Sequence, residues 1–213
     1  MTGVLRAAVA GYAIGAFPSA DLASRLARRG SDVREQGTGN PGAANGTVVL
    51  GTSWGAAVLV ADVAKGTIAA ARGRSLGGDL GAHVGATAAV VGHCYPIAPG
   101  MRGGRGVATS AGQCLATFPA HFPINLAVAY ASVRWRSRAS AAATVGAATW
   151  IAAALWWWRR RWPNLWGPRP TAALPLAAIA SSAVILNRFR QDRDLVAAAR
   201  AAAEAAAETS ERP

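Results

Sequence analysis

The chain has 213 residues, 52% of them hydrophobic and only 15% charged, with a mean hydropathy of +0.23. A soluble domain carries about 25% charged residues, so this composition, with the polar faces of amphipathic surface helices missing, excludes an ordinary soluble helical bundle. The net charge of +12 would point to nucleic acid in a soluble protein; here arginines stand at the ends of apolar segments, which suits anionic lipid headgroups, and no nucleic-acid partner is expected.

The first apolar segment, 4–26, contains Pro18 and Asp21. It has the look of a signal peptide, but similar segments continue down the chain, so it reads as a retained membrane helix. A basic polar loop follows, RRGSDVREQGTGNPGAANG, and then segment 54–71 with Asp62 and Lys65 inside it. The glycine-rich link RGRSLGGDLG leads to segment 82–97, and APGMRGGRG forms a second glycine-rich basic loop. The stretch 107–133 is broken by Pro119 and Pro123. Each half would reach only roughly 20 Å across a hydrocarbon core of about 30 Å, so it is two short helices or one kinked span. Counting two puts the loops at 28–34, 102–105, 134–138 and 188–193 on one side, with the N-terminus opposite. Segment 139–158 runs into WWWRRRW, an interfacial aromatic and basic marker, and the last span covers 171–186. The expectation is an all-α polytopic integral membrane bundle of about seven transmembrane helices, formed by residues 1–196, with an alanine-rich cytoplasmic tail at 197–213. Cys94 and Cys114 both sit in apolar context and read as small core residues.

Four short stretches carry chemistry. GTGNPGAAN (37–45) combines Gly39 and Gly42, which let backbone N–H groups approach an oxyanion, with side-chain donors on Thr38, Asn40 and Asn45 and charge from Arg34. PGMRGGRGVAT (99–109) sets Arg102 and Arg105 around Gly103 and Gly104, with a helix starting directly after and Thr109 closing the motif; guanidinium groups and a helix N-terminus both favour phosphate. DVAKG (62–66) puts Asp62 and Lys65 on one helix face inside an apolar segment, and Lys65 is the only lysine in the chain. GHCYP (92–96) places His93 at the end of a span, where it could donate to an oxyanion or act as a base. Each has a plainer alternative: a surface turn, arginines snorkelling to headgroups, a charge pair orienting two helices, a core histidine.

Taken in order and spacing, GTGNPGAAN, DVAKG and GHCYPIAPGMRGGRGVAT resemble the bacterial acyl-phosphate:glycerol-3-phosphate acyltransferases of the PlsY type, whose motifs read close to GSGNPGATN, D-x-x-KG and GHxxPxxxxFKGGKGVAT. The resemblance covers about residues 10–112. It implies an inner-membrane enzyme with cytoplasmic glycine loops that moves an acyl chain from acyl phosphate to the 1-hydroxyl of glycerol 3-phosphate, giving lysophosphatidate for phospholipid synthesis, with no metal or cofactor. On that resemblance His93, Arg102, Arg105, Lys65 and Asp62 would be catalytic. Thr38, Gly39, Asn40, Gly42, Asn45, Gly103, Gly104, Thr109 and Arg193 would bind substrate phosphate. The departures are specific. Ala44 stands for a threonine, Val48 for an arginine, Arg102 and Arg105 for lysines. In NRFRQDRDL, Asn187 and Arg190 replace the histidine and asparagine of a C-terminal HRxNIxRL pattern, while Arg188 and Arg193 keep register. Ala44 and Val48 favour a second reading, a non-catalytic paralogue that binds anionic lipid or scaffolds lipid-synthesis enzymes. A third, a small anion transporter, rests on the intramembrane charge and broken spans.

Overall fold

The computed structural model describes residues 1–27, 33–97, 103–134 and 139–210, and these are helical apart from turns and short loops. The helices are α1 (Thr2–Gly15), α2 (Ser19–Leu26), α3 (Ala43–Leu50), α4 (Thr52–Cys94), α5 (Val107–Thr117), α6 (Phe122–Arg134), α7 (Ala139–Arg160) and α8 (Ala173–Ser210), with a 3₁₀ turn at Pro119–His121.

The apolar segment 4–26 is not one helix. Proline cannot donate the amide bond a helix interior needs, so α1 stops at Gly15 and a new helix begins at Ser19, directly after Pro18. Conversely, the glycine-rich link 72–81 is almost wholly helical. The 43 residues of α4 are two antiparallel arms, 52–76 and 79–94, that reverse at Gly77 and Gly78. Gly78 has φ +62°, a conformation a side chain would strain. The arms then zip together through small residues: a Cβ added at Gly73 would strike the Gly81 carbonyl, and one at Gly85 would crowd the Ala69 carbonyl at 2.7 Å.

Helix α1 runs alongside the second arm in the same direction. Gly3, Ala7, Gly11 and Gly15 recur every four residues and meet Gly77, Gly81, Gly85 and Ala89, which share that spacing. Small residues at four-residue spacing let backbones approach where no hydrophobic drive exists between helices in lipid. Around this three-helix centre α5 crosses the first arm at Gly66 and Gly112. The break at Phe118, where φ is −147°, turns the chain back. Thr117 lies beside Asn164 at one end, while Ala139 packs with Cys94 and Ile185 at the other. So α5 and α6, of 11 and 13 residues, are two short antiparallel helices rather than one kinked span. With α1, both arms of α4, α7 and α8 the chain traverses the bundle seven times. Met1 is at the far end, while the loops at 33–42 and 103–106 and the C-terminal part of α8 lie at the near end. Helix α8 continues unbroken to Ser210, so no structural boundary separates residue 196 from 197.

The bundle is inside-out by soluble standards. Val60 is 69% exposed, Ile68 55% and Leu176 62%, while Asp62, Lys65, His93, Gln113 and Ser181 are buried. Ala139–Arg160 and an 18-residue stretch within Thr52–Cys94 are long and apolar enough to cross a membrane, and at the far end Trp156, Trp157 and Trp162 pack edge to face beside Arg160, an interfacial belt. The α1–α4 seam is the least forgiving part of this packing. Gly11→Ala would push a methyl into the Gly85 carbonyl and is expected to cost about 1–3 kcal/mol, read as a lowered thermal midpoint in detergent; an unchanged midpoint would show that the seam yields freely.

Candidate active site

Four buried polar side chains, from α2 and the two arms of α4, meet at the near end. Ser19 is there because the Pro18 break places the first residue of α2 over the first arm of α4; Asp62 and Lys65 are one turn apart on that arm; His93 ends the second arm. Lys65 Nζ donates to Ser19 Oγ at 2.9 Å and to Asp62 Oδ1 at 2.8 Å, and Ser19 Oγ donates to the same carboxylate oxygen at 2.7 Å. His93 Nδ1 stands 3.7 Å from Asp62 Oδ1, within electrostatic reach but too far for a hydrogen bond. Asp62 is 1% and Lys65 5% exposed. A buried charge is tolerated only when paired and hydrogen-bonded, and each charge here has the other plus a hydroxyl.

The two glycine-rich loops are held against this centre by separate clamps. In the first, Asn45 is spent entirely on loop construction. Its Oδ1 accepts from Thr38 N at 2.9 Å, and its Nδ2 donates to the carbonyls of Val33 (2.6 Å) and Gln36 (3.0 Å). Asp21 and Arg34 form a two-pronged pair, with Nη2 to Oδ2 at 2.9 Å, that ties α2 to the same loop. Burial draws the Arg34 pKa down from its ordinary value, yet a guanidinium beside a carboxylate stays charged. In the second loop Gly103 and Gly104 lie flat on the end of α4. Gly104 N donates to the His93 carbonyl at 3.1 Å, and a Cβ at position 104 would collide with the imidazole. From α8, Arg188 donates to the Gly103 carbonyl at 3.0 Å and pairs with Asp192 at 3.1 Å. Asp192 in turn accepts from Arg105 Nε at 2.7 Å, whose guanidinium sits 4.9 Å over the Phe189 ring.

Two clefts open on either side of His93. The first is lined by Asn40, Gly42, Asp62, His93, Arg105 and Gly106, with Leu59 and Phe189 as apolar wall. The N-termini of α3 and α5 both open into it, and neither has a side-chain cap, so free N–H groups and Arg105 converge on one space, an arrangement that favours an anion. The second cleft is lined by Ser19, Asp21, Arg34, Lys65, His93, Gly103 and Gly104. Each sequence motif therefore contributes to both clefts rather than building one of its own.

Of the residues singled out from sequence, the structure brings together Asp62, Lys65, His93, Arg105, Asn40, Gly42, Gly103 and Gly104. Others are placed elsewhere. Thr38 is exposed, with its amide turned to Asn45; Gly39, at φ +67°, shapes the turn. Asn45 works as a clamp. Thr109 is fully buried where α5 meets the first arm of α4 at Gly66. Arg193 lines an outer groove between α7 and α8. Arg102 lies outside the described residues. Sequence reasoning passed over Ser19 and Asp192. A serine immediately after a helix-breaking proline, and an aspartate four residues beyond Arg188, were the available signals.

Against known proteins, the model of the glycerol-3-phosphate acyltransferase family matches residues 5–198. The chain belongs to the glycerol-3-phosphate acyltransferase family. A family member from Bacillus velezensis is 41% identical over 117 residues, covering 55% of this chain and 60% of the relative, so the alignment spans less than two thirds of that protein. Two crystal structures of PlsY (YgiH), an integral membrane glycerol 3-phosphate acyltransferase, match over 92% of this chain and 93% of theirs. The glycerol 3-phosphate form has 28% identity and a TM-score of 0.71, and the lysophosphatidic acid form has 27% and 0.66. In this chain Asn45 holds the first loop. Asn45→Ala strands the Thr38 amide and the Val33 and Gln36 carbonyls. Faster protease cleavage within 33–38 is expected with bundle helicity retained by circular dichroism; unchanged cleavage would mean the loop does not depend on this side chain.

Proposed function

We propose that the chain transfers an acyl group from acyl phosphate to the 1-hydroxyl of glycerol 3-phosphate in the inner membrane, with both glycine loops facing the cytoplasm, and so makes lysophosphatidate. The observation that carries this is the pair of anion-suited clefts meeting at one buried His93–Asp62–Lys65 centre. Both substrates of such a reaction carry a phosphate, and the reacting atoms must lie between the two. The family membership and the glycerol 3-phosphate and lysophosphatidic acid forms of the matched crystal structures support the same reading.

Acyl phosphate is already activated, so no covalent protein intermediate is needed. The acceptor oxygen bonds to the acyl carbon, the acyl carbon–phosphate oxygen bond breaks, and the hydroxyl proton leaves with the departing phosphate. The protein supplies position and charge. Arg105 and the N–H groups of α3 and α5 neutralise one phosphate; Lys65 and the Gly103–Gly104 backbone face the other. His93, shared by both clefts, borders the place where the carbonyl oxygen gains charge. Asp192 orients Arg105 through the Nε bond, leaving its terminal nitrogens for phosphate.

The test is phosphate release from a long-chain acyl phosphate by protein in lipid, with and without glycerol 3-phosphate. Acceptor-dependent release with lysophosphatidate formed is the expected result; no release under either condition contradicts it. Arg105→Ala is expected to lower turnover at least about 100-fold with normal expression, and near-wild-type turnover would remove Arg105 from the site.

A second reading, a paralogue that binds without turning over, is favoured by one surface. Val48 lies one turn beyond the cleft-lining Ala44 on α3 and is 49% exposed, an apolar side chain where the family resemblance implies an arginine. Val48→Arg is expected to raise turnover of an active enzyme several-fold by supplying a phosphate contact. No gain, in a protein that binds acyl phosphate without releasing phosphate, would support the second reading.

A further inference from the structure

At the near end of the bundle a groove runs between α7 and α8 on the outer surface. Along α8 its lining runs from Leu186 and Asn187 through Phe189 to Arg190 and Arg193, and α7 adds Ser140, Ala141 and Thr144. Helix α8 rises from the far end toward the near end, so these residues follow the bilayer normal, from hydrocarbon toward water. Arg190 and Arg193 are exposed, share a face at three-residue spacing, and have no acidic partner among the described residues.

The groove backs directly onto the first cleft. Phe189 lines both, and Ala139 of the cleft is followed by Ser140 of the groove. Phe189 is 5% exposed, so one buried ring is the common wall. It packs among Val90, Cys94, Ala139 and Ile185, and from the cleft side Arg105 stacks on it while bound to Asp192.

We propose that this groove is the lateral port through which a single-chain lipid phosphate passes between the bilayer and the first cleft, with Arg190 and Arg193 holding the headgroup and Phe189 as the leaf that separates port from cleft. The inference rests on the acyl-transfer reading, whose donor and product are both phosphates bearing one acyl chain. Charge complementarity selects the phosphate, and Leu186, Phe189 and Ala141 offer a chain apolar contact. The single ring between groove and cleft gives such a ligand somewhere to go.

The test uses the full chain in lipid nanodiscs of zwitterionic lipid. Ser140→Trp plugs the groove, and Arg190→Gln/Arg193→Gln removes its charge; both act outside the first cleft. For long-chain acyl phosphate in the bilayer, each is expected to raise the apparent KM about tenfold, two charge-assisted contacts being at stake in the second. For a short-chain, water-soluble acyl phosphate, turnover is expected to match wild type. Loss of both activities by the plugged and the charge-removed protein alike would overturn the port, since damage would then lie in the cleft. Unchanged long-chain KM in both variants would overturn it too. Should the wild type turn over neither donor, the acyl-transfer reading fails separately, and binding of a fluorescent lysophosphatidate decides the groove. Loss of that binding in Arg190→Gln/Arg193→Gln supports it. Equal competition by inorganic phosphate or by phosphatidylglycerol would overturn it as a general anion site or a boundary-lipid contact.

Discussion

Asp62 and Lys65 face each other at 2.8 Å among apolar helices, and most of the near end of this bundle is arranged to make that arrangement tolerable. An ion pair withdrawn from water loses more hydration energy than its own attraction returns unless further hydrogen bonds complete it. Ser19 completes this one, and Ser19 is in place because Pro18 ends the first helix and starts another over the pair. His93 is in place because the second arm of α4 can pack against α1 and the first arm at backbone contact distance, through glycines that leave no room for a side chain. The seam of small residues and the buried charges thus form one construction. The seam sets the distance at which the charges meet, and the charges hold the helix ends where the loops attach.

The loops are fixed independently of any ligand. Asn45 and the Asp21–Arg34 pair hold one; Arg188, Asp192 and the flat contact of Gly103–Gly104 with His93 hold the other. Among the described residues they leave the N-termini of α3 and α5 without side-chain caps, and these line one cleft together with Arg105. Donors fixed in advance need no reorganisation when negative charge arrives or develops beside them.

Much of this was legible in the sequence because lipid imposes simple rules. Apolar segments of limited length, arginines at their ends and the paired prolines at 119 and 123 gave the traverses, and the reversal of α5 and α6 follows the two-helix count. The spacing of Asp62 and Lys65 put them on one helix face, and the structure sets His93, Arg105, Gly103 and Gly104 beside them, residues that the family resemblance had grouped into one site. The failures are equally physical. Segment 4–26 was read through Pro18 because hydropathy does not register a missing amide. The link 72–81 looked like a loop by composition, yet glycine in lipid serves close helix packing as readily as turns. Asn45 was assigned to ligand because a sequence shows a side chain's donors but not which backbone groups near it lack partners. Arg193 follows its motif register, yet the turn of α8 aims it at the outer groove rather than either cleft.

The central claim is that the buried pair serves the reaction and not merely the packing. The measurement that tests it most directly compares Lys65→Met with the double variant Asp62→Leu/Lys65→Met, each assayed for thermal stability and for acceptor-dependent phosphate release. The single variant leaves a buried carboxylate without its ammonium and should lose stability. The double variant replaces the pair by apolar groups of similar volume and should recover it. The account predicts that the recovered protein remains inactive. A stable double variant that still forms lysophosphatidate would contradict it, and would make Asp62 and Lys65 a fastener between helices.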